Sequence, residues 1–349
     1  MTPSRRHVLV LLILATLAAA AALWWPRGEP KVKLETTDIT VRLGDRDTDA
    51  PLDLTQNFPA DARPKNLVLF VGDGMGFQQI LAARIAFRGL DRPLTIERLP
   101  ITGWSTTYAV GSMLTDSAAG ATALATGHKS TSGSVGVDAE GQPLTTIAER
   151  AVGVGKAVGV LTDSYLWDAT PAAFLAHRPT RRDRKGIHED MMASGAELLI
   201  GGRPGELPPE ITDSLFASGY RLIHQTEDAG ALRTVSGPTA VLLDEDSVAE
   251  ARGGFGLPEL TEMAFDRLAA DEDGFFLMVE TEETDSGSHN HDLPRTLAGI
   301  DALDRSVATV LRRAVERRDT LVVVTADHET GGFVLHSGDV GEPLKIAWT

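Results

Sequence analysis

Residues 278–292, MVETEETDSGSHNHD, place five carboxylates and two histidines around a single glycine, directly after an apolar run. Such a segment is either a solvated acidic loop or a set of metal ligands. Asp285 and His289 are four residues apart, so one helical turn brings them to the same side, and a carboxylate with an imidazole suits zinc. Glu280 closes the apolar run FFLMV, and a carboxylate at a strand end suits the harder Mg2+. Downstream, TADHETGG adds Asp327 and His328, adjacent residues that can serve two neighbouring ions by pointing to different sides. Upstream, VGDGMG holds Asp73 among glycines that let backbone approach closely. It lacks both the dinucleotide spacing and the Walker lysine, so a phosphate-cradling loop is weakly supported. In LTDSAAGATALATG, Ser117 enters a small-residue helix just after Asp116. Alone, that pair is an ordinary helix cap. A serine at a helix N-terminus also sits where the dipole and free amides favour an oxyanion or phosphate. No GxSxG elbow surrounds it, so activation by a metal fits better than a hydrolase triad.

Positioning these residues falls to a set of short, continuously apolar runs: NLVLFVGDG, KAVGVLTDS, AELLIGG, GFFLMVE and TLVVVTADH. Their lack of alternation predicts strands covered on both faces. Helical patterns lie between them, in GFQQILAARIAFRG, TTIAERAVG, PELTEMAFDRLAADED and LPRTLAGIDALDRSVATVLRRAVERR. The fold class expected is α/β, with a mostly parallel central sheet and helices on both faces. Asp73, Asp163, Glu280 and Asp327 with His328 all follow strands, and ligands of open α/β sheets bind outside the carboxyl ends of the strands. They are therefore expected in one crevice. The stretch of about 201–256, richer in Gly, Pro and Asp, reads as an insertion or peripheral region.

Composition narrows the chemistry. The chain has no cysteine, which excludes disulfides, thiolate zinc sites and cysteine nucleophiles. With a formal charge of −16 it lacks the clustered cations that nucleic acid or anionic lipid requires. An anionic small substrate then needs local positive charge from metal ions or a well-placed arginine. Arg5 and Arg6 precede an apolar run from Val8 to Trp25, the layout of an export signal. Residues 1–25 are expected to be a signal peptide or membrane anchor, 26–63 a linker or arm, and 64–349 the catalytic domain. The protein is expected to be exported, periplasmic or anchored facing outward, touching a membrane only through that N-terminal helix.

VGDGMG, TDSAAGATALATG, DATPAAFLAHRPTR, VETEETDSGSH and TADHETGG resemble, in order and spacing, the alkaline phosphatase family, from residue 66 to the end. The resemblance implies hydrolysis of small phosphate monoesters through a phosphoserine on Ser117. It implies that Asp73, Asp327 and His328 hold the Zn2+ that activates this serine, with Asp73 also bridging toward Mg2+. It further implies that Asp285 and His289 hold a second Zn2+ for the leaving-group oxygen and the attacking water. Glu280 and Thr170 would hold Mg2+, with Asp168 reaching it through water, and Arg181 would grip two phosphate oxygens. Arg181 is preferred to Arg182 and Arg184 on the family spacing alone. Glu282, Glu283, His291 and Asp292 are left as solvated neighbours, and His177, His188 and His336 go to structure or surface.

Two departures from the family pattern stand out. Position 286 is Ser, where family members often carry a larger residue that tunes phosphate binding. The usual third ligand of the leaving-group zinc, a histidine in a later His-Thr segment, has no counterpart before Thr349. The expectation is a chain lacking that last C-terminal segment, or a zinc held by Asp285, His289 and water. Other functions left open are an exported metal- or phosphate-binding protein without turnover, and a phosphodiester or sulfate ester hydrolase. A homodimer is left open as the assembly.

Overall fold

The computed structural model describes residues 63–203, 209–224, 226–244, 255–337 and 345–348. The signal or anchor expected over 1–25, and all but the last residue of the arm expected over 26–63, lie outside the described residues. Among the described residues no helix is long and apolar enough to cross a membrane.

Seven strands form one sheet: β1 Asn66–Gly72, β2 Ala157–Tyr165, β3 Leu198–Arg203, β4 Arg221–His224, β5 Thr239–Asp244, β6 Phe275–Thr281 and β7 Thr320–Ala326. Their spatial order is β4-β5-β3-β2-β6-β1-β7, and every pairing is parallel. Two further strands, β8 Val334–Ser337 and β9 Lys345–Ala347, make a small antiparallel pair. The helices are α1 Phe77–Arg88, α2 Ser117–Thr126, α3 Ile147–Gly153, α4 Ala169–Leu175, α5 Arg184–Ala193, α6 Pro209–Ala217, α7 Leu257–Leu268, α8 Glu283–His289 and α9 Leu293–Arg317.

Side chains alternate across a strand, and β1 shows the consequence. Val68 and Phe70 join Ala82 of α1, Phe265 of α7 and Ile300 and Val307 of α9 in one core. Leu69 and Val71 join Ala118 of α2, Ala148 of α3, Phe174 of α4 and Ile187 of α5 in another. Helices thus cover both faces, which is why the strands read as unbroken apolar runs. All seven residues of β6 are buried. Helix α9 buries Leu293, Leu297, Ile300, Leu303, Val307, Val310, Leu311 and Ala314, the three-and-four spacing of an amphipathic helix. Each such fully buried aliphatic chain contributes roughly 1.5–3 kcal/mol.

The two sheet edges differ in cover, and one departs from the sequence reading. The stretch of about 201–256 supplies β4 and β5, short runs that extend the sheet on one side. At the other edge β7 is only partly covered, contrary to the expectation of burial on both faces, and Leu321 is 47% exposed. Among the described residues it pairs only with β1, so one side of it lacks a neighbour.

Candidate active site

The sheet register decides which side chains meet. Gly72 at the end of β1 pairs with Thr281 on one side and Ala326 on the other. Asp73 and Asp327 therefore leave the sheet as neighbours, with Glu280 one position back on β6. The Asp73 amide donates to the Thr281 carbonyl at 2.9 Å, and the Gly74 amide donates to Asp327 Oδ1 at 3.2 Å. Gly74 has φ +66°, and a Cβ there would lie 2.6 Å from Thr330 Oγ1 and 2.9 Å from Asp285 Oδ1. Glycine is required at this turn for both reasons.

Ser117 is the first residue of α2. Asp116 caps the helix, accepting from the Ala119 amide at 3.1 Å and, through its other oxygen, from the Gly133 amide at 2.9 Å. The Ser117 Oγ then lies 3.4 Å from Asp73 Oδ1 and 3.3 Å from His328 Nε2. His328 Nε2 is 3.5 Å from Asp73 Oδ1 and 3.3 Å from Asp327 Oδ2. The His328 Nδ1 lies 3.2 Å from the Glu329 carbonyl and 3.1 Å from the Thr330 hydroxyl, which orients the ring and leaves Nε2 facing the carboxylates. Asp73, Asp327 and His328 form a candidate metal-binding group.

A second group lies deeper. Thr170 Oγ1 donates to Asp73 Oδ2 at 3.3 Å, and the Thr162 and Thr170 hydroxyls lie beside Glu280, where they lower its carboxyl pKa against burial. Glu280 Oε2 and Asp327 Oδ2 are buried without a hydrogen-bond partner among the described residues. A third pair sits toward solvent, on α8: Asp285 Oδ2 is 3.5 Å from His289 Nε2, whose side chain is 69% exposed. Asp285 Oδ1 accepts from the Thr330 hydroxyl.

Asp73, Ser117, Asp168, Arg181, Asp285, His289 and His328 line one cavity of about 410 Å3. Thr170, Glu280 and Asp327 lie buried beside it. All ten residues singled out in the sequence are thus gathered at the carboxyl ends of β1, β2, β6 and β7. Arg181 reaches the cavity because its backbone amide is held by the Gly133 carbonyl at 2.7 Å, and its guanidinium donates to Asp168 Oδ1 at 2.6 Å. That contact gives Asp168 a partner the sequence reading did not assign.

Electrostatically the site is starved of positive charge. Burial raises the carboxyls of Asp73, Glu280 and Asp327, and for Asp73 the neighbouring Asp327, Asp285 and Glu280 raise it further. Burial likewise pushes Glu282 up to about 8 and Asp163 up to about 7. Arg181 is shifted upward by Asp168, Asp116 and Asp73, against its own desolvation. Several carboxylates held together at this density need bound cations or protons.

Comparison with known proteins gives the family. Residues 64–200 and 243–346 match the family model for alkaline phosphatase. The chain belongs to the alkaline phosphatase family. The match omits 201–242, where α6 and β4 lie. This family member is 30% identical over 296 residues to alkaline phosphatase 4 of Bacillus subtilis (strain 168), covering 78% of the chain. It spans under two thirds of the length of that relative and of alkaline phosphatase 3 of the same organism, 63% and 66%. Among solved structures, the cold-active alkaline phosphatase of Shewanella sp. is similar with a TM-score of 0.72 and 32% identity, over 78% of this chain and 70% of that one.

Some residues of the site were misread or unread in the sequence. Glu282, expected to be solvated, lines the cavity and accepts from Ser286 Oγ at 2.6 Å. Glu283, also expected to be solvated, makes a two-point ion pair with Arg295. Asp292 and His291 stay exposed, as expected, although Asp292 also caps α9 through the Arg295 amide and His291 stacks on Trp348 with ring centroids 5.3 Å apart. For Glu282 and Glu283 the cause is distant packing: the Glu282 amide is held by Asp163 on β2, and Glu283 pairs with Arg295 on α9. Thr162, beside Glu280, and Thr330, which contacts Asp285 and His328, carried no sequence signal beyond their closeness to Asp163 and to the TADH segment.

Proposed function

We propose that this chain hydrolyses phosphate monoesters through a phosphoserine on Ser117, at a site for two Zn2+ and one Mg2+. The observation that carries the reading is the spacing of Ser117 Oγ, Asp73 Oδ1, Asp327 Oδ2 and His328 Nε2. Their four close separations run from 3.3 to 3.5 Å. Zinc–ligand lengths of about 2.0–2.1 Å in a tetrahedron place ligand atoms about 3.3–3.4 Å apart. Glu280 Oε2 and Asp327 Oδ2, buried without a hydrogen bond among the described residues, fit metal ligands, since a buried carboxylate oxygen with no hydrogen bond is costly. Asp73, Asp327 and His328 would hold one Zn2+, and Asp285 with His289 the other. Asp73 Oδ2, Thr170 Oγ1 and Glu280 offer the all-oxygen set that Mg2+ prefers, with Asp168 nearby. A variant of the alkaline phosphatase of the bacterium TAB5, 27% identical with a TM-score of 0.73 over 82% of this chain and 87% of that one, is described with Mg bound. Such cations supply Lewis-acid stabilisation of the negative charge that develops on the oxygens around phosphorus.

The chain's own residues do the rest. Ser117 Oγ attacks phosphorus, the ester P–O bond breaks, and the alcohol leaves with a proton. Water then attacks the phosphoserine, releasing phosphate and returning the serine hydroxyl. The planar Arg181 guanidinium binds two phosphoryl oxygens at once, which a lysine ammonium does not do. The free amides at the start of α2 face the same anion. An acidic protein can thereby bind an anionic ester through locally concentrated positive charge. Ser117→Ala is expected to abolish phosphate release from an aryl phosphate while the protein's metal content, measured by mass spectrometry, stays as in the unmutated chain. Undiminished turnover in that variant would overturn the reading.

A further inference from the structure

Asp163 is buried at the point where β2 and β6 stop pairing. The last ladder partners of these strands are Thr162 and Glu280. One residue further on, the Asp163 side chain takes over from the main chain. Its Oδ1 accepts from the Glu282 amide at 2.7 Å, and its Oδ2 accepts from the Thr281 hydroxyl at 2.6 Å. Both oxygens are thus spent on the two residues that follow Glu280. Thr281 in turn offers its carbonyl to the Asp73 amide at 2.9 Å. Asp163, Thr281 and the Asp73 backbone therefore tie the ends of β2, β6 and β1 together around the pocket of Asp73, Thr170 and Glu280. Asp163 and Thr281 are only 4% and 0% exposed, so neither meets solvent or substrate.

We infer that Asp163 is a positioning residue for the magnesium pocket, fixing the Glu280 carboxylate and the Asp73 turn by clamping Thr281 and Glu282. The inference rests on the reading of Asp73, Thr170 and Glu280 as magnesium ligands. Its physical basis is that a metal site binds well only when the backbone carrying its ligands is held to a fraction of an ångström, and partners behind the ligands supply that hold. An aspartate does this here because it can accept two hydrogen bonds at once, from an amide and a hydroxyl that lie beyond the end of the ladder.

The test uses the full chain loaded with zinc and titrated with Mg2+ alone by calorimetry, alongside metal analysis and a thermal melt. Asp163→Ala is expected to weaken Mg2+ binding by about 10-fold or more, with zinc content unchanged. Asp163→Asn should restore most of the affinity. Its carbonyl still accepts from the Glu282 amide, and the Thr281 hydroxyl can turn to accept from the new amide. Thr281→Val, nearly isosteric, should show an intermediate loss, and it decides the matter if Asp163→Ala does not fold. Wild-type Mg2+ affinity in all folded variants would overturn the clamp alone. A wild-type chain that binds no Mg2+ would overturn the pocket reading together with the clamp.

Discussion

Arg181 illustrates how one residue's burial and partners separate its roles. Its ion pair with Asp168 joins side chains that are each 33% exposed, so its loss should change stability little. Its place in the cavity wall beside Ser117 matters more. Charge-assisted hydrogen bonds to a phosphoryl group are worth roughly 1.5–3 kcal/mol, so Arg181→Ala should lower kcat/KM about 10- to 100-fold. Arg181→Lys should recover only part of this, because the ammonium keeps the charge and loses the two-point geometry. Steady-state kinetics on an aryl phosphate, with the melting temperature as control, check both; equal kcat/KM in all three proteins would remove Arg181 from the site. Of the proposed ligands, Asp73, Glu280, Asp285, His289, Asp327 and His328 were readable from residue type and placement, whereas Asp168 and Thr170 came only from the family resemblance. Glu282 was not read as part of the cavity wall, because its backbone is held there by Asp163, 119 positions away in the chain.

Helices α8 and α9 show the same limit one level up. The turn that brings Asp285 and His289 together was readable from a four-residue spacing, but the packing that holds α8 in place was not. Gly287 sits so close to α9 that a Cβ would fall 2.5 Å from the Thr296 amide nitrogen and 2.9 Å from its Cα. Gly299 of α9 comes equally near, with its missing Cβ 2.9 Å from the Thr284 nitrogen. Alanine normally gains up to about 1 kcal/mol over glycine inside a helix. Here the clash is with backbone, which yields only if the two helices separate. Gly287→Ala should therefore lower stability, by about 1–3 kcal/mol as overpacking does, and move Asp285 and His289 out of register. Denaturant unfolding and zinc occupancy measure the two effects. A variant as stable as the parent with full zinc would mean that α8 packs more loosely than it does here.

For the whole molecule the balance of charge sets the response to pH and metal. Folding raises the pKa of Asp73, Glu280, Asp327 and Glu282 above their unfolded values, chiefly by burial. The folded state without metal then binds more protons than the unfolded state. Its stability contribution from these groups is complete below about pH 4 and is lost as pH rises, for Glu282 through about 8. His188 acts in the other direction: burial, aided by Arg184, pushes its pKa down to about 4. The unfolded chain therefore takes up that proton first, and His188 removes stability as pH falls from about 6.5 toward 4. Chelator-treated protein should consequently melt at lower temperature as pH rises from 6.5 to 9. Added Zn2+ and Mg2+ should raise the melting temperature most at the alkaline end, because ligand carboxylates must be deprotonated to bind. A metal-induced shift independent of pH would contradict the raised pKa values.

What the sequence by itself determined is the local part. Apolar runs without alternation specify strands, covered on both faces except at the β7 edge, strand-end carboxylates specify a crevice, and five ordered motifs specify the family. The tertiary structure alone decided the rest: the order β4-β5-β3-β2-β6-β1-β7, the use of β4 and β5 as an edge, the partners of Glu282 and Glu283, and the Asp163 hydrogen bonds. Local periodicity reports which residues turn inward, whereas strand order and side-chain partners depend on contacts between segments more than a hundred residues apart. Those contacts are chosen by packing the whole chain at once.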